Sequence, residues 1–309
     1  MPAAIRLTLQ IRNDRSIACH ITDQGGGKMP EGTGLDTGPP GHLTGDELRH
    51  YIESHNENSY VLIDVRQPSE YQAAHIPGAT FMPLLEFESK LFELPPDRDL
   101  IFYCRTGGRS VAAALLAQEA EVTTGRIYNL LGGITQWSGR TIEDFPRVQV
   151  FDSAGDFTEL LRTAMDLEKG AWRFYQAIVD RSASAPYLPA FEQLSRAETA
   201  HARAIYQIWA PRVADAQPFE TLYALLKGDI LEGGETLEDM LQRLDTLEGG
   251  TCMSLIEISM QIEYAAFDLY RVMADRSEDP DSRSAFLSIA EAEKGHMRLL
   301  TRAIELCSG

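Results

Sequence analysis

The chain has 309 residues, 44% of them apolar and 24% charged, which suits two compact units of ordinary size rather than a disordered or membrane-embedded chain. A formal net charge of -18 argues against nucleic acid or an anionic membrane as the main partner, since both require a cationic face. No apolar run reaches the ~18 residues of a spanning helix.

The four cysteines, Cys19, Cys104, Cys252 and Cys307, include no Cys-x-x-Cys pair, so neither a disulfide framework nor a thiolate metal knuckle is indicated. Residues 1–23 lack the continuous apolar core of roughly 7–15 residues found in export signals. A reducing, cytoplasmic setting is the expectation.

Residues 24–41 read QGGGKMPEGTGLDTGPPG, the composition of a flexible leader, and residues 1–41 are expected outside the folded core. The short apolar runs before Asp23 leave room for a strand within that leader. Leu43-Thr44-Gly45-Asp46-Glu47-Leu48 reads as a capped helix start, and Tyr60-Val61-Leu62-Ile63-Asp64-Val65 as a buried strand. A second such run, Leu100-Ile101-Phe102-Tyr103, ends at Cys104; a helix follows over 110–120 and a strand over 126–130, before Gly132-Gly133. Strands alternating with helices predict an α/β unit over 42–145, with a mainly parallel sheet covered on both faces.

From Asp156 onward helical spacing takes over, as in Leu160, Leu161, Ala164, Met165, Ala171 and Trp172, and 152–309 is expected to be all-α. The long connection from Trp209 to Cys252 carries Pro211, Pro218, Gly228, Gly233-Gly234 and Gly249-Gly250, with helix-like pieces over 221–226 and 237–247. It fits the crossover between the second and third helices of a four-helix bundle.

Cys104-Arg105-Thr106-Gly107-Gly108-Arg109-Ser110 lies between the buried strand and the helix. A thiol there faces free backbone N–H groups and the positive end of the helix dipole. Gly107 and Gly108 let the backbone curl around the sulfur, and Arg105 and Arg109 add positive charge. All of this favours thiolate, the attacking form.

The segment resembles the active-site loop of single-domain rhodaneses, Cys-Arg-x-Gly-x-Arg-Ser/Thr. Asp64-Val65-Arg66, Glu70-Tyr71 and His75-Ile76-Pro77-Gly78-Ala79 upstream, with Leu131-Gly132-Gly133-Ile134 and Trp137 downstream, stand in the family's order. The resemblance implies a persulfide on Cys104, formed from a sulfane-sulfur donor and passed to a thiol acceptor. It makes Arg105 and Arg109 holders of an anionic donor such as thiosulfate, with Thr106, Gly107, Gly108 and Ser110 lining its site. His75 resembles a structural residue of the family, and Asp64, Arg66 and Glu70 a framework ion-pair set. A related phosphatase loop is one residue longer; the six positions from Cys104 to Arg109 match the sulfur-handling form.

The second half repeats itself at an offset of 95 positions: Met165, Glu168, Ala171 and Tyr175 recur as Met260, Glu263, Ala266 and Tyr270. Phe191, Glu198 and His201 recur likewise as Phe286, Glu293 and His296. Both Glu-x-x-His pairs present an oxygen and a nitrogen on one helix face. The breaks at Ser184-Ala185-Pro186 and Asp279-Pro280-Asp281 lie midway between each upstream Glu and its Glu-x-x-His, so in an antiparallel hairpin these groups come level.

Four Glu and two His would then meet at the bundle centre. Burying even one unpaired charge costs several kcal/mol, a conflict that two divalent metals resolve. The region from 156 to 307 resembles rubrerythrin-like members of the ferritin superfamily, which implies two iron ions on Glu168, Glu198, His201, Glu263, Glu293 and His296. Manganese stays open as the alternative. Tyr175 and Tyr270 are read either as hydrogen-bond partners of the ligands or as packing groups. Ala266 stands where some rubrerythrins place an extra carboxylate, which puts peroxidase activity in doubt.

The expected function is a sulfurtransferase coupled to a di-iron carboxylate redox domain, in sulfur or peroxide handling. The alternative is an iron-binding or storage protein whose rhodanese unit senses or delivers. Expected partners are a small sulfur donor, a thiol acceptor and an external electron donor, without nucleic acid or membrane; homodimer formation stays open. Cys252 is read as a sulfur acceptor for Cys104 or, more simply, as a packed thiol.

Overall fold

The structure, a computed structural model, describes residues 7–11, 17–21, 39–151, 156–181, 185–247, 252–277 and 279–308. Within the expected leader, β1 (Leu7–Ile11) and β2 (Ile17–Ile21) pair antiparallel, so the apolar runs there do form strands. The rest of the Gly- and Pro-rich stretch up to residue 38, and Gly249-Gly250 in the crossover, lie outside the described residues.

β3 (Gly41–Leu43) leads into α1 (Gly45–Ser54). Thr44 closes a capping box there: its hydroxyl accepts from the Glu47 N–H at 3.3 Å, and the Glu47 carboxylate accepts from the Thr44 N–H at 2.8 Å. Next come β4 (Tyr60–Asp64), α2 (Pro68–Ala73), β5 (Thr80–Phe81), α3 (Leu84–Lys90), β6 (Asp99–Tyr103), α4 (Gly108–Glu119) and β7 (Ile127–Leu130). The sheet runs β3-β7-β6-β4-β5, all parallel. β3 escaped the sequence reading because three residues are too few to show a period, and it draws Gly41 into the sheet.

Period-two alternation assigns the two faces. Val61, Ile63, Leu100, Phe102 and Cys104 pack with Phe87 of α3 and with Ala113, Ala114 and Ala117 of α4. Tyr60, Leu62, Ile101 and Tyr103 pack instead with Leu48 of α1. Cys104 thus continues β6 on the face that α4 covers.

The second half is helical: α5 (Phe157–Arg181), α6 (Leu188–Trp209), α7 (Phe219–Leu225), α8 (Leu237–Thr246), α9 (Cys252–Arg276) and α10 (Pro280–Ala303). α5 packs on α6, α9 on α10, and α6 against α10, with α7 and α8 on the crossover. Asp279 caps α10 by accepting from the Ser282 N–H at 2.7 Å. Two apolar clusters fill the bundle, one around Leu161, Met165, Ile205, Tyr270 and Phe286, the other around Phe174, Phe191, Ile256, Ile262 and Leu300. On each long helix the candidate ligands fall between those clusters, so a polar layer is sealed above and below.

The two halves share buried charge. Glu57, between α1 and β4, meets Lys294 of α10 at 2.7 Å and Arg271 of α9 at 3.1 Å. Asp268 of α9 accepts from the Gly78 N–H at 2.6 Å and lies 3.1 Å from His75 Nε2. Residues 38–309 accordingly form one compact unit.

Candidate active site and metal centre

Gly107 caps α4 at φ 101°, a conformation that glycine adopts without strain. The turn it makes aims N–H groups back at Cys104. The Gly107 N–H donates to Sγ at 3.1 Å and the Ser110 hydroxyl at 3.4 Å. Gly132 and Gly133 close the loop from behind: a Cβ on Gly133 would stand 2.3 Å from the Cys104 carbonyl oxygen. The Ile134 N–H donates to that same oxygen at 2.8 Å.

Burial by itself pushes the Cys104 thiol up, but the Ser110 hydroxyl and the amides of Ser110, Thr106 and Gly107 outweigh it and hold the thiol below its ordinary value. Cys104 is buried, whereas Arg105, Thr106 and Gly108 are exposed at the mouth. Arg109 forms a bidentate fork on Glu70, with both bonds at 2.8 Å. That fork pulls the Glu70 carboxyl down to about 2.

Glu70 therefore serves the cysteine loop. Arg66 and Asp64 form a separate buried pair at 2.7 Å, with a further bond from Arg66 to the Ala74 carbonyl at 2.6 Å. His75 is structural, as the resemblance implied: its ring stacks on Tyr71 at 3.8 Å, and Nδ1 lies 3.2 Å from the Tyr71 carbonyl.

In the bundle the six expected ligands come together. His296 Nδ1 lies 2.8 Å from Glu263, 3.1 Å from Glu293 and 3.2 Å from Glu198. His201 Nδ1 lies 3.3 Å from Glu168, 3.6 Å from Glu293 and 3.7 Å from Glu198. The two imidazoles stack at 4.7 Å. Ligand atoms of Glu198, His201, Glu293 and His296 all lie within 4.8 Å of one another. The tyrosines do bond these carboxylates, crosswise between hairpins: Tyr270 donates to Glu168 at 2.9 Å and Tyr175 to Glu263.

Glu168, Glu198, Glu263 and Glu293 are at most 2% exposed. Burial, with Glu263 and Glu293 nearby, pushes Glu198 well above the carboxylate range despite the pull of His296. Burial pushes Glu263 up to about 7 against the same pull. Burial opposes charge on His201 too, yet Glu168 and Glu293 raise its imidazole to about 10.

A metal pair fits this donor set. Glu168 Oε2, Glu293 Oε1, His201 Nδ1 and His296 Nε2 are buried without a hydrogen-bond partner, an arrangement that costs free energy unless another group satisfies them. Oxygen and imidazole donors suit divalent iron or manganese.

Three features were not anticipated. Glu232, in the turn between α7 and α8, is buried and joins Glu168 and Glu198 within the same 4.8 Å limit. Burial and the neighbouring Glu168 and Glu293 push its carboxyl well up. Its signal was faint: one acid before Gly233-Gly234 in a loop without helical register. The Glu57 ion pairs join residues more than 200 positions apart and leave no local pattern. Finally, Cys252 and Cys307 form a disulfide, which corrects both the reading of the cysteines as indicating no disulfide and that of Cys252 as a packed or accepting thiol. The start of α9 meets the turn after α10, bringing the two Cα atoms to 5.3 Å across 55 residues, and no short-range spacing rule reaches that far.

Residues 44–140 match the rhodanese-like domain family and residues 254–308 the rubrerythrin family. A sulfurtransferase of Allochromatium vinosum is 40% identical over 79 residues, which cover 25% of this chain and 71% of that protein. The thiosulfate:glutathione sulfurtransferase of Saccharomyces cerevisiae is 31% identical over 105 residues, covering 30% of this chain and 73% of the yeast protein. A rhodanese-related protein of Thermoplasma volcanium aligns with 33% of this chain and 97% of its own, at 24% identity and a TM-score of 0.29. A strand-to-helix cysteine loop on a parallel sheet, ahead of a helical bundle with a buried carboxylate and imidazole layer, defines a two-part protein of the rhodanese and rubrerythrin classes. The chain belongs to the rhodanese family through its first half and carries a rubrerythrin domain in its second. Among the described residues no helix is long and apolar enough to cross a membrane.

Proposed function

We propose that this chain is a sulfurtransferase carrying sulfane sulfur as a persulfide on Cys104, coupled to a two-metal carboxylate centre in sulfur or peroxide handling. The rhodanese-like part would span 42–145 and the rubrerythrin-like part 152–309. The observation that carries the reading is one compact unit holding both a thiolate-stabilising loop and a buried set of four Glu and two His with unpartnered donor atoms.

The Cys104 thiolate attacks the outer sulfur of thiosulfate, or the sulfane sulfur of a persulfide. A bond from Sγ forms as the bond to sulfite, or to the donor thiolate, breaks, and that group leaves with the electron pair. Arg105 at the mouth draws in the anionic donor, and Arg109, fixed by Glu70, keeps positive charge beside the loop. The amides of Thr106, Gly107 and Ser110 and the Ser110 hydroxyl hold the anionic persulfide. An acceptor thiolate then takes the terminal sulfur, and Cys104 leaves as thiolate.

Glu168, Glu198, His201, Glu263, Glu293 and His296 would hold two iron ions, or manganese, supplying one-electron chemistry toward oxygen or peroxide with an external electron donor. Tyr175 and Tyr270 fix the orientation of Glu263 and Glu168, and the apolar clusters on either side keep bulk water out.

The test is thiosulfate turnover to a thiol acceptor alongside metal analysis of the full chain. Wild type is expected to turn over and to hold two metal ions, and Cys104→Ser to hold the metal and lose all turnover. Turnover that survives Cys104→Ser overturns the sulfur reading, and metal-free wild type prepared with iron present overturns the other half. Iron uptake far beyond the pair would favour storage instead.

A further inference from the structure

The carboxylate layer has a member that comes from none of the four long helices. Glu232 is 2% exposed, and its Oε2 has no hydrogen-bond partner. It reaches Glu168 and Glu198 so that ligand atoms of the three lie within 4.8 Å of one another. An unpartnered, fully buried carboxylate beside two others is an arrangement that natural interiors avoid unless a cation meets it.

The turn that carries Glu232 is tightly built. The Leu231 N–H donates to the Glu235 carbonyl at 2.9 Å, the Gly234 N–H to the Leu231 carbonyl at 2.8 Å, and the Leu237 N–H to the Asp229 carbonyl at 2.8 Å. From α5, Arg173 donates to the Lys227 carbonyl at 2.6 Å and meets the Asp229 carboxylate at 2.8 Å. Asp166 accepts from the Gly228 N–H at 3.1 Å.

The backbone of the turn lies directly on α5. A Cβ at Gly170, two residues past Glu168, would stand 2.2 Å from the Ile230 carbonyl oxygen. On the other side, a Cβ at Gly233 would stand 3.2 Å from the Ala265 Cβ of α9. The turn is therefore seated against both upstream-ligand helices, one on each side, and Glu232 is the residue it sends into the polar layer.

We propose that Glu232 is a seventh protein ligand of the metal pair, binding the ion that Glu168 and Glu198 hold; this rests on the metal reading above. The other six ligands obey the internal repeat, each with a counterpart 95 positions away, whereas Glu232 stands in the crossover between the two repeated hairpins. The two ions consequently sit in unequal sites, the one on the Glu168 side carrying an extra negative oxygen ligand. The other site, with fewer protein ligands, is the one left for a small molecule to approach.

Cobalt(II) titration of the full-length chain tests this, followed by calorimetry and by the ligand-field absorption of the metal. Wild type is expected to bind two ions in two distinguishable steps. Glu232→Ala and the isosteric Glu232→Gln should weaken one step by about 10–100-fold, as loss of a supporting or ligating group does, leave the other unchanged, and alter the spectrum of one ion. Metal-free Glu232→Gln should melt no lower than metal-free wild type, because the amide keeps the shape of the carboxyl and cannot take on the charge that burial disfavours.

Two ions bound with wild-type affinity and spectrum in both variants would overturn the seventh ligand and leave the six-ligand site standing. Wild type that takes up no cobalt would overturn both. A lowered metal-free Tm together with loss of both ions would assign Glu232 to packing and overturn the proposal.

Discussion

A cysteine buried at the end of a central strand should ionise reluctantly, since a low-dielectric setting favours the neutral thiol. At Cys104 the donors around Sγ reverse that sign, and the Ser110 hydroxyl is the one that mutation can remove without touching the backbone. A hydrogen bond to a charged group contributes about 1.5–3 kcal/mol, and the 3.4 Å contact belongs at the low end. Ser110→Ala should therefore raise the Cys104 pKa, because the thiolate loses a donor that the neutral thiol does not need. The direction for activity follows: transfer needs the thiolate, so its rate climbs with pH through the thiol pKa, and the whole limb moves to higher pH in the variant. Thiolate absorbance and the pH profile of thiosulfate turnover both report it, and coincident curves for variant and wild type would sink the idea. This loop was legible in the sequence because all its parts lie within seven consecutive residues. The partner of Arg109 was not, since Glu70 stands 39 positions away and its likeness to a framework acid suggested a different pairing.

At the level of elements, helix register carried the reading of the bundle. Residues three apart share a face and residues equidistant from a turn come level, so Glu168, Glu198, His201 and their repeats could be brought together on paper. A turn residue has no register, and for that reason Glu232 stayed hidden until the 228–236 segment was seen lying on α5. Gly170 was the trace it left: a glycine in mid-helix costs about 1 kcal/mol against alanine and needs a reason. The reason is the Ile230 carbonyl, which a methyl at Gly170 would strike. Gly170→Ala sets that helix gain of about 1 kcal/mol against overpacking of about 1–3 kcal/mol with a backbone group that cannot rotate away. The steric side should win, giving a net loss of stability and, as the turn lifts, a weakening of the cobalt step that depends on Glu232. Chemical denaturation and the same cobalt titration measure the two effects, and a stabilised variant with intact metal binding would show that the turn is free to move.

For the molecule as a whole, the decisive contacts are those that tie the sheet to the bundle. Glu57 is fully buried, and both its countercharges, Arg271 and Lys294, come from the helices that carry Glu263, Glu293 and His296. Lys294 also donates to the His55 carbonyl at 2.9 Å, and Tyr60 donates to Glu57 at 2.6 Å, so every strong partner of that carboxylate is itself anchored. Breaking a buried pair by removing one partner costs about 3–5 kcal/mol, far above the ~0–1 kcal/mol of a surface pair, because the other charge is left without compensation. Glu57→Gln keeps the shape and leaves two buried cations facing a neutral amide. It should lower stability by about 3–5 kcal/mol, and the loss should persist at high salt, because buried charges are poorly screened. Wild type should melt in one calorimetric transition in which thiosulfate turnover and bound metal vanish together. In the variant the sheet and the bundle should part into two transitions, with the half that holds metal surviving longer. An unchanged single transition in Glu57→Gln would mean that the close packing of Gly78 on the Phe267 ring suffices to hold the halves, and that the ion pairs only orient them.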